Sequence, residues 1–223
     1  MIFFSYSLFG TQMMYTQGMI ENARILHQTF PDARVQIYIA DDVPNETVNA
    51  LSQMTNVNLI NVRNKPGLQN MFDRFASIDD PECSVMIVRD ADSRPHTRDI
   101  ACIQDFLSSD KLLHIIRDHQ YHTNPIMGGL WGIKKKAIGE PMNAMIERWV
   151  DGKSLFPYGA DQDFLALSVY PNLVDQALIH DRFGRREPVH RLTAFRVPIT
   201  NNLFCGQVHR YNGFVEYTEF LAD

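Results

Sequence analysis

The stretch Val85-Met-Ile-Val-Arg-Asp90-Ala-Asp92-Ser-Arg-Pro95 decides how the rest of the chain is interpreted. Its four apolar residues, 85–88, predict a short buried strand, and the run then turns to charged residues and stops at a proline. Two carboxylates therefore follow the carboxyl end of a strand. Ligands of open α/β sheets bind outside such ends. On a turn, Asp90 and Asp92 can converge on one hard cation, as would suit a metal that holds a diphosphate.

The spacing of the two aspartates is weak evidence by itself. With 18 aspartates in 223 residues, chance supplies one or two Asp-x-Asp pairs, and the chain contains a second one at Asp161 and Asp163. The first pair differs in context, because an apolar strand precedes it and no lysine lies beside it. The residues alone leave a metal site and an ordinary polar turn equally open.

The overall composition indicates one α/β domain over residues 1–223, without a linker, a repeat or a low-complexity segment. A net charge of −5 gives no general electrostatic case for binding nucleic acid or an anionic membrane. Basic clusters remain at residues 134–136 and at Arg185-Arg186. Such clusters are most often solvated loops, although an anionic or membrane-borne acceptor could use them.

The cysteines and the amino terminus favour a cytoplasmic protein. Cys83, Cys102 and Cys205 are odd in number and lack metal-ligand spacing, which is typical of reduced thiols in a cytosol-like compartment. Residues 1–9 lack a basic region and are too short and too polar to span a bilayer. We expect them to form the first strand and expect no transmembrane segment.

Other predicted strands also end in polar residues. Ser7 lies at the end of the first strand, where a turn into a helix can present backbone amides to a nucleotide. Asp41 follows the second strand and could accept hydrogen bonds from a ribose or a base, or cap a helix. Asp118 follows a later strand. The nearby His119 and His122 lack a third partner for zinc, so hydrogen-bonding roles are favoured.

Several further residues have both a structural and a functional interpretation. Arg74 lies on an apolar helical stripe and could pair with an acid or contact a diphosphate. Glycines in the run 127–133 permit the close approach of a backbone or a ligand. Asp161 and Asp163 open a helix, where capping alone could explain them. Gly206 and the polar residues after it could close over phosphates or form an ordinary loop.

Taken in order, five stretches resemble the glycosyltransferases of the GT-A fold, over nearly all of the chain. The resemblance is nearest to small nucleotide-sugar transferases of bacteria and large DNA viruses, including chlorella-virus enzymes. The matching stretches are Val88-Arg-Asp90-Ala-Asp92-Ser93, Ile116-Arg-Asp118-His119, Met127-Gly-Gly-Leu-Trp131-Gly132, Tyr158-Gly-Ala-Asp161-Gln162-Asp163-Phe-Leu165 and Phe204-Cys-Gly206-Gln207.

The resemblance implies a metal-dependent enzyme that moves a hexose or deoxyhexose from a UDP-sugar to a glycan or glycoprotein acceptor. Residues 1–95 would form its nucleotide-binding part and residues 96–223 its acceptor and catalytic part. A viral protein would work in the host cytoplasm. The expected metal is Mn²⁺ or Mg²⁺, bound by Asp90 and Asp92. The expected nucleotide-binding residues are Ser7, Asp41, Arg74, Asp90, Asp92, Gly206, Gln207 and His209.

The segment Asp161-Gln162-Asp163-x-Leu165 also resembles the glycogenin and lipopolysaccharide galactosyltransferase family, whose members retain the anomeric configuration. By this resemblance Asp161 would hold donor-sugar hydroxyls and Gln162 would lie near the reacting carbon. If the enzyme inverted instead, Asp118, Asp161 or Asp163 would be candidates for the general base.

The chain departs from that family at its carboxyl-terminal motif. Leu203 stands where the family has a metal-binding histidine, and His209 stands where it has a lysine. We expect His209 to take the lysine's place beside the diphosphate.

Two other interpretations stay open from the sequence. A nucleotidyltransferase would need a basic, glycine-rich loop after the first strand, but residues 7–11 contain neither lysine nor arginine. A non-catalytic binding module of the same fold is the other alternative, since fold does not determine function.

Overall fold

The computed structural model describes residues 1–154, 156–210 and 215–216. A single mixed sheet forms its centre, which confirms the expected α/β class. Its strands are β1 (Ile2–Leu8), β2 (Arg34–Ala40), β3 (Val57–Val62), β4 (Val85–Arg89), β5 (Leu113–Arg117), β6 (Leu130–Lys134) and β7 (Ala177–Asp181).

Helical segments connect the strands. The α-helices are α1 (Met13–Thr29), α2 (Asn45–Ser52), α3 (Thr97–Ser108), α4 (Met142–Val150), α5 (Ala160–Phe164) and α6 (Tyr170–Leu173). A long 3-10 segment spans Gln69–Asp79, a π-helical turn spans Leu165–Val169, and short 3-10 turns span Lys135–Ala137, Val174–Gln176 and Val189–Arg191. No helix in the described ranges is both long and apolar enough to pass through a bilayer.

The strand order places six carboxyl ends at one edge of the sheet. The order is β3-β2-β1-β4-β6-β5-β7, and only β6 runs antiparallel to its neighbours. The polar residues that follow β1, β2, β4, β5 and β7 therefore meet at the same edge, where the sequence places its candidate site. Strand β6 was not predicted, because its Gly132 and the glycines before it give little strand propensity.

Alternate side chains of each central strand pack on opposite faces of the sheet, as the pleat of a strand requires. Phe3 and Val88 face a cluster that includes the Gln69–Asp79 segment, α4 and α5. Phe4 and Ile87 face a second cluster formed with α1, α2 and α3. The apolar stripe predicted around Arg74 is thus confirmed as core, although it adopts 3-10 rather than α-helical geometry.

A buried ion pair joins β4 to α3 just below the sheet edge. Arg89 Nε and Nη2 donate to the two carboxylate oxygens of Asp99 at 3.0 and 2.8 Å, and both residues are almost fully buried. The paired geometry satisfies both charges, so removing one partner leaves the other charged group buried without a counter-ion. This pair fixes the start of the turn that carries Asp90.

We predict that Asp99→Ala lowers the free energy of unfolding by about 3–5 kcal/mol, since it strands the Arg89 guanidinium in the core. Urea denaturation at neutral pH measures the loss. The control is Asp110→Ala, which removes an exposed aspartate after α3 and should leave stability unchanged. Equal stability of the two variants would contradict the importance given to the pair.

Candidate functional site

One guanidinium joins the two halves of the candidate site. Arg74, carried by the Gln69–Asp79 segment, is almost completely buried. Its Nη1 contacts Asp90 Oδ1 at the end of β4, and its Nη2 lies 3.0 Å from Asp161 Oδ2 in the first turn of α5. The structure therefore brings together Arg74, Asp90 and Asp161, which the sequence separates by up to 87 positions.

Serine side chains of β1 hold the Arg74 segment in place. Ser7 Oγ donates to the carbonyl of Asn70 at 2.6 Å and accepts from the backbone N–H of Arg74 at 3.2 Å. Ser5 Oγ donates to the Arg74 carbonyl at 2.5 Å. The Ser7 hydroxyl, expected to contact a nucleotide, is thus engaged within the protein. Its contacts are those of a residue that positions Arg74.

Two glycines make room for the carboxylates, as expected from the glycine-rich run. A Cβ atom at Gly129 would lie 2.0 Å from Asp90 Oδ2, and one at Gly128 would lie 2.4 Å from Asp161 Oδ2. Real Cβ contacts do not become this short, so any side chain there would displace the carboxylates. Gly128 and Gly129 therefore form the floor on which Asp90 and Asp161 lie.

Asp92 lies close to Asp90, and the nearby arginines only partly offset the negative charge of this pair. Burial, and then the negative charge of Asp90, raise the pKa of Asp92 from 3.8 to about 7. In the described part of the chain, no basic side chain donates a hydrogen bond to Asp92. The positive charges of Arg74 and then Arg94 lower the pKa of Asp92, but by less than burial and Asp90 raise it, and the Arg94 guanidinium is occupied by Glu21 and two backbone carbonyls.

These carboxylates suit a divalent cation that prefers oxygen ligands. Asp90 is partly exposed, with 38% of its side chain accessible, and Arg74 takes only its Oδ1. Oxygens of Asp90 and Asp92 therefore remain for a cation such as Mn²⁺ or Mg²⁺. Within residues 1–154, 156–210 and 215–216, no three His, Cys, Asp or Glu side chains gather as a complete metal site. Oxygens of a substrate or of water could supply further ligands.

The first turn of α5 contributes a second polar pair. Asp161 is buried, and burial raises its pKa while the nearby Arg74 lowers it. Gln162 is also buried, and its Oε1 accepts a 2.7 Å hydrogen bond from Asn124 Nδ2. Asp163 is exposed. Asp161 and Gln162 thus form the inner side of this turn, whereas Asp163 does not join them.

The turn between β4 and α3 depends on residues that the sequence interpretation missed. Asn22 Nδ2 donates to the carbonyl of Ala91 at 3.4 Å, and a Cβ on Gly18 would lie 2.3 Å from that same oxygen. Helix α1 can approach the turn because residue 18 lacks a side chain. Gly18, inside an otherwise regular helical pattern, was the feature of the sequence that could have predicted this close approach.

Asp118, a candidate catalytic base in the sequence, forms a buried ion pair with Arg98. It is fully buried, and its two oxygens accept hydrogen bonds from Arg98 at 2.7 Å each. Its Oδ2 also accepts the backbone N–H of Cys205 at 2.9 Å. A carboxylate with both oxygens occupied is poorly placed to take a proton from an acceptor. Asp118 instead anchors the segment that carries Gly206.

Asp41 follows β2, where the sequence predicted it, and its contact with a nucleotide stays a prediction. It is exposed at the end of β2, and its Oδ1 accepts the backbone N–H of Asn64 at 3.0 Å. Its neighbour Asp42 reaches the turn after β1, where it accepts the N–H of Gly10 at 2.9 Å. Asp42 therefore ties the β1–α1 turn to β2, and Asp41 keeps one carboxylate oxygen free for a ligand.

The carboxyl-terminal segment returns to the Asp92 turn. The N–H of His209 donates to the Asp92 carbonyl at 2.8 Å, and Gly206 adopts a positive φ of 82° that favours glycine. Gln207 is buried and donates to the carbonyl of Glu216 at 3.0 Å. Gly206, Gln207 and His209 thus lie on one segment that returns to the Asp92 turn, and their contacts with phosphates stay a prediction.

His209 differs electrostatically from the lysine it was expected to replace. Burial, followed by the positive charge of Arg94, lowers the pKa of His209 to about 4, so its ring is neutral at pH 7. Its buried Nε2 has no hydrogen-bond partner among the described residues. In this state His209 can offer a hydrogen bond to a phosphate but not a full positive charge.

No protein-family model and no curated protein sequence matches the chain, but solved structures do. A glycosyltransferase involved in glycosylation of the major capsid of PBCV-1 superposes with a TM-score of 0.54 at 15% identity, over 81% of each chain. The galactosyltransferase LgtC, solved with donor and acceptor sugar analogues, gives 0.54 at 14% identity, over 81% of this chain and 73% of that one.

A third match comes from Mycobacterium tuberculosis. Its glucosyl-3-phosphoglycerate synthase, solved with Mn²⁺, UDP-glucose and phosphoglyceric acid, gives a TM-score of 0.52 at 11% identity, over 80% of this chain and 68% of that one. Identities this low establish the fold, not the activity. The expected architecture is confirmed: the chain has the GT-A fold shared by these viral and bacterial glycosyltransferases.

Proposed function

We propose that the protein is a metal-dependent, retaining glycosyltransferase that moves a hexose or deoxyhexose from a UDP-sugar to a glycan or glycoprotein acceptor. The observation that carries the proposal is the buried Arg74, which holds Asp90 and Asp161 together beside Asp92 at the carboxyl edge of the sheet. This is the edge where α/β folds bind nucleotides. The fold shared with three glycosyltransferases supports the same assignment.

The charges of the cluster support a role for a divalent cation. Asp90, Asp92 and Asp161 supply three carboxylates, and Arg74 supplies one guanidinium, so full ionisation leaves the cluster with a net charge of −2. Asp92 and the second oxygen of Asp90 would hold the cation. When bound, Mn²⁺ or Mg²⁺ would neutralise the departing diphosphate as a Lewis acid. The M. tuberculosis structure contains Mn²⁺ with UDP-glucose, in keeping with this proposal.

The residues of α5 would orient the donor sugar. Arg74 fixes one oxygen of Asp161, and a fixed carboxylate can accept hydrogen bonds from sugar hydroxyls. Asn124 occupies the Gln162 oxygen, which leaves the Gln162 amide N–H groups as donors. Gln162 cannot act as a general base, and Asp118 is fully paired with Arg98. These features favour retention over inversion.

A nucleotidyltransferase fits less well. The turn after β1, which would have to grip a triphosphate, is tied by the N–H of Gly10 to the carboxylate of Asp42. An acid at this position repels phosphate, whereas a phosphate-binding loop presents free N–H groups.

A cytoplasmic location is proposed as well, and the three buried free cysteines support it.

Turnover provides the test of the proposed function. Release of UDP from a panel of UDP-sugars with Mn²⁺ should occur with the wild-type chain, and Asp92→Asn should reduce it by about 100-fold or more because the cation loses a charged ligand. The exposed Asp110→Asn is the control and should behave as wild type. Wild-type chain that releases no UDP from any donor would indicate a binding module, and full activity of Asp92→Asn would refute the metal assignment.

The same substitution should stabilise the metal-free protein. A carboxyl group whose pKa is raised by folding favours the folded state when protonated, so this contribution is lost as pH rises from 3.8 to about 7. With a chelator present near pH 8, Asp92→Asn should raise the free energy of unfolding by up to about 4 kcal/mol. Below pH 4 the gain should vanish. Urea denaturation at both pH values measures it, and unchanged stability at the higher pH would contradict the account of Asp92.

The stereochemical part of the proposal predicts that the product has the same anomeric configuration as the donor. Proton NMR of the first product formed, recorded before mutarotation, distinguishes the two outcomes. A product of opposite configuration would contradict retention and would leave Asp161 and Asp163 as the candidates for the general base.

A further inference from the structure

A basic cavity lies at the carboxyl ends of β5 and β7. Its volume is about 280 Å³, and the loops after these two strands form its walls. Three arginines line it against one aspartate. The polar lining residues are Arg117, His122, Thr123, Asp181, Arg185 and Arg186.

The carboxylates at the cavity are already paired with groups inside the protein. Asp181 Oδ2 accepts from Arg117 Nε at 2.7 Å, and its Oδ1 accepts the backbone N–H groups of residues 183 and 184 at 2.8 and 3.0 Å. Glu187 is buried and also pairs with Arg117. Burial lowers the pKa of His122 to about 3, so this ring is neutral. The exposed charges of the cavity are therefore those of Arg185 and Arg186.

Backbone carbonyls hold the two exposed guanidinium groups without neutralising them. Arg185 Nη1 donates to the Gln120 carbonyl at 2.6 Å. Arg186 donates from Nε and Nη2 to the Thr123 carbonyl, at 3.2 and 2.7 Å. Within the described ranges neither arginine forms an ion pair with a carboxylate. A guanidinium that is oriented but uncompensated is well suited to bind a carboxylate or a phosphate.

The cavity shares a loop with the candidate active site. Thr123 lines the cavity, and the next residue, Asn124, donates to Gln162 at 2.7 Å. Arg117 Nη1 reinforces this loop by donating to the carbonyl of Pro125 at 2.6 Å. Consecutive Cα atoms are about 3.8 Å apart, so the cavity wall and the partner of Gln162 are immediate neighbours.

We propose that this cavity is an acceptor subsite that binds an anionic group, a carboxylate or a phosphate, on the acceptor sugar through Arg185 and Arg186. Because the subsite rests on the proposed function, it names the class of acceptor for the same reaction. The volume of the cavity, near the lower limit for ligand sites, fits one acidic monosaccharide rather than an oligosaccharide. The sequence offered this use of the two arginines as the alternative to a solvated loop.

Binding of three monosaccharide probes to the full chain tests the proposal. The probes are glucuronic acid, glucose 6-phosphate and neutral glucose, titrated calorimetrically with UDP and Mn²⁺ present to fill the donor site. At least one acid should bind about tenfold or more tightly than glucose, since hydrogen bonds to charged groups are the stronger ones. If glucuronic acid binds more tightly than glucose, the subsite binds a carboxylate. If glucose 6-phosphate does, it binds a phosphate.

Matched variants test whether Arg185 and Arg186 cause the preference for acidic probes. R185Q/R186Q should abolish it, and R185K/R186K should keep part of it, because lysine retains the charge but not the planar fork. R24Q/R148Q removes two exposed arginines elsewhere and should bind as wild type. Equal affinity of wild type for acids and glucose would overturn the proposal, and this outcome does not depend on the folding of any variant. So would an undiminished preference in a folded R185Q/R186Q variant.

Release of UDP without an acceptor separates failure of the subsite from failure of the proposed function. R185Q/R186Q should retain this release, because the donor residues Asp90, Asp92 and Arg74 are untouched. Wild type that releases UDP but does not prefer acids would overturn the subsite alone. Wild type that binds acids through the two arginines but releases no UDP would overturn both the proposed function and the acceptor role of the cavity.

Discussion

The candidate site depends on one buried guanidinium. Arg74 is almost completely buried, and two carboxylates pair with its guanidinium, Asp90 after β4 and Asp161 at the start of α5. A buried charge must be paired in this way, because leaving it alone in the interior costs several kcal/mol. The requirement therefore forces β4 and α5 to meet at a defined point. Ser7 below and Gly128 and Gly129 above leave the group little freedom.

The neighbouring Asp92 shows the opposite behaviour, because no basic side chain among the described residues forms a hydrogen bond with its carboxylate. Burial and Asp90 raise its pKa to about 7, which means that the folded chain resists ionising it. Such a residue weakens the fold unless a ligand compensates for it, and perturbed groups of this kind concentrate at functional sites. Arg74 thus makes the site rigid. Asp92 provides a carboxylate whose negative charge a bound cation would neutralise.

The sequence was most informative at strand ends and glycines. The sequence correctly placed Asp90 and Asp92 after the carboxyl end of a buried strand, and its glycines at 128 and 129 correctly indicated a close approach. Pairing between distant residues could not be foreseen. The same carboxylate chemistry that made Asp118 a candidate base also allows a buried pair with Arg98, and only the packing of α3 against β5 decides between them.

Strand β6 was missed because its stability comes from its two neighbours rather than from local propensity.

The most direct measurement of the central claim is anomalous scattering at the manganese absorption edge, from crystals grown with Mn²⁺ and UDP. We expect one strong anomalous peak beside the carboxylates of Asp90 and Asp92, with the Arg74 contacts to Asp90 and Asp161 preserved. A peak located elsewhere, or Asp92 turned away to form an internal ion pair with no metal beside it, would contradict the account.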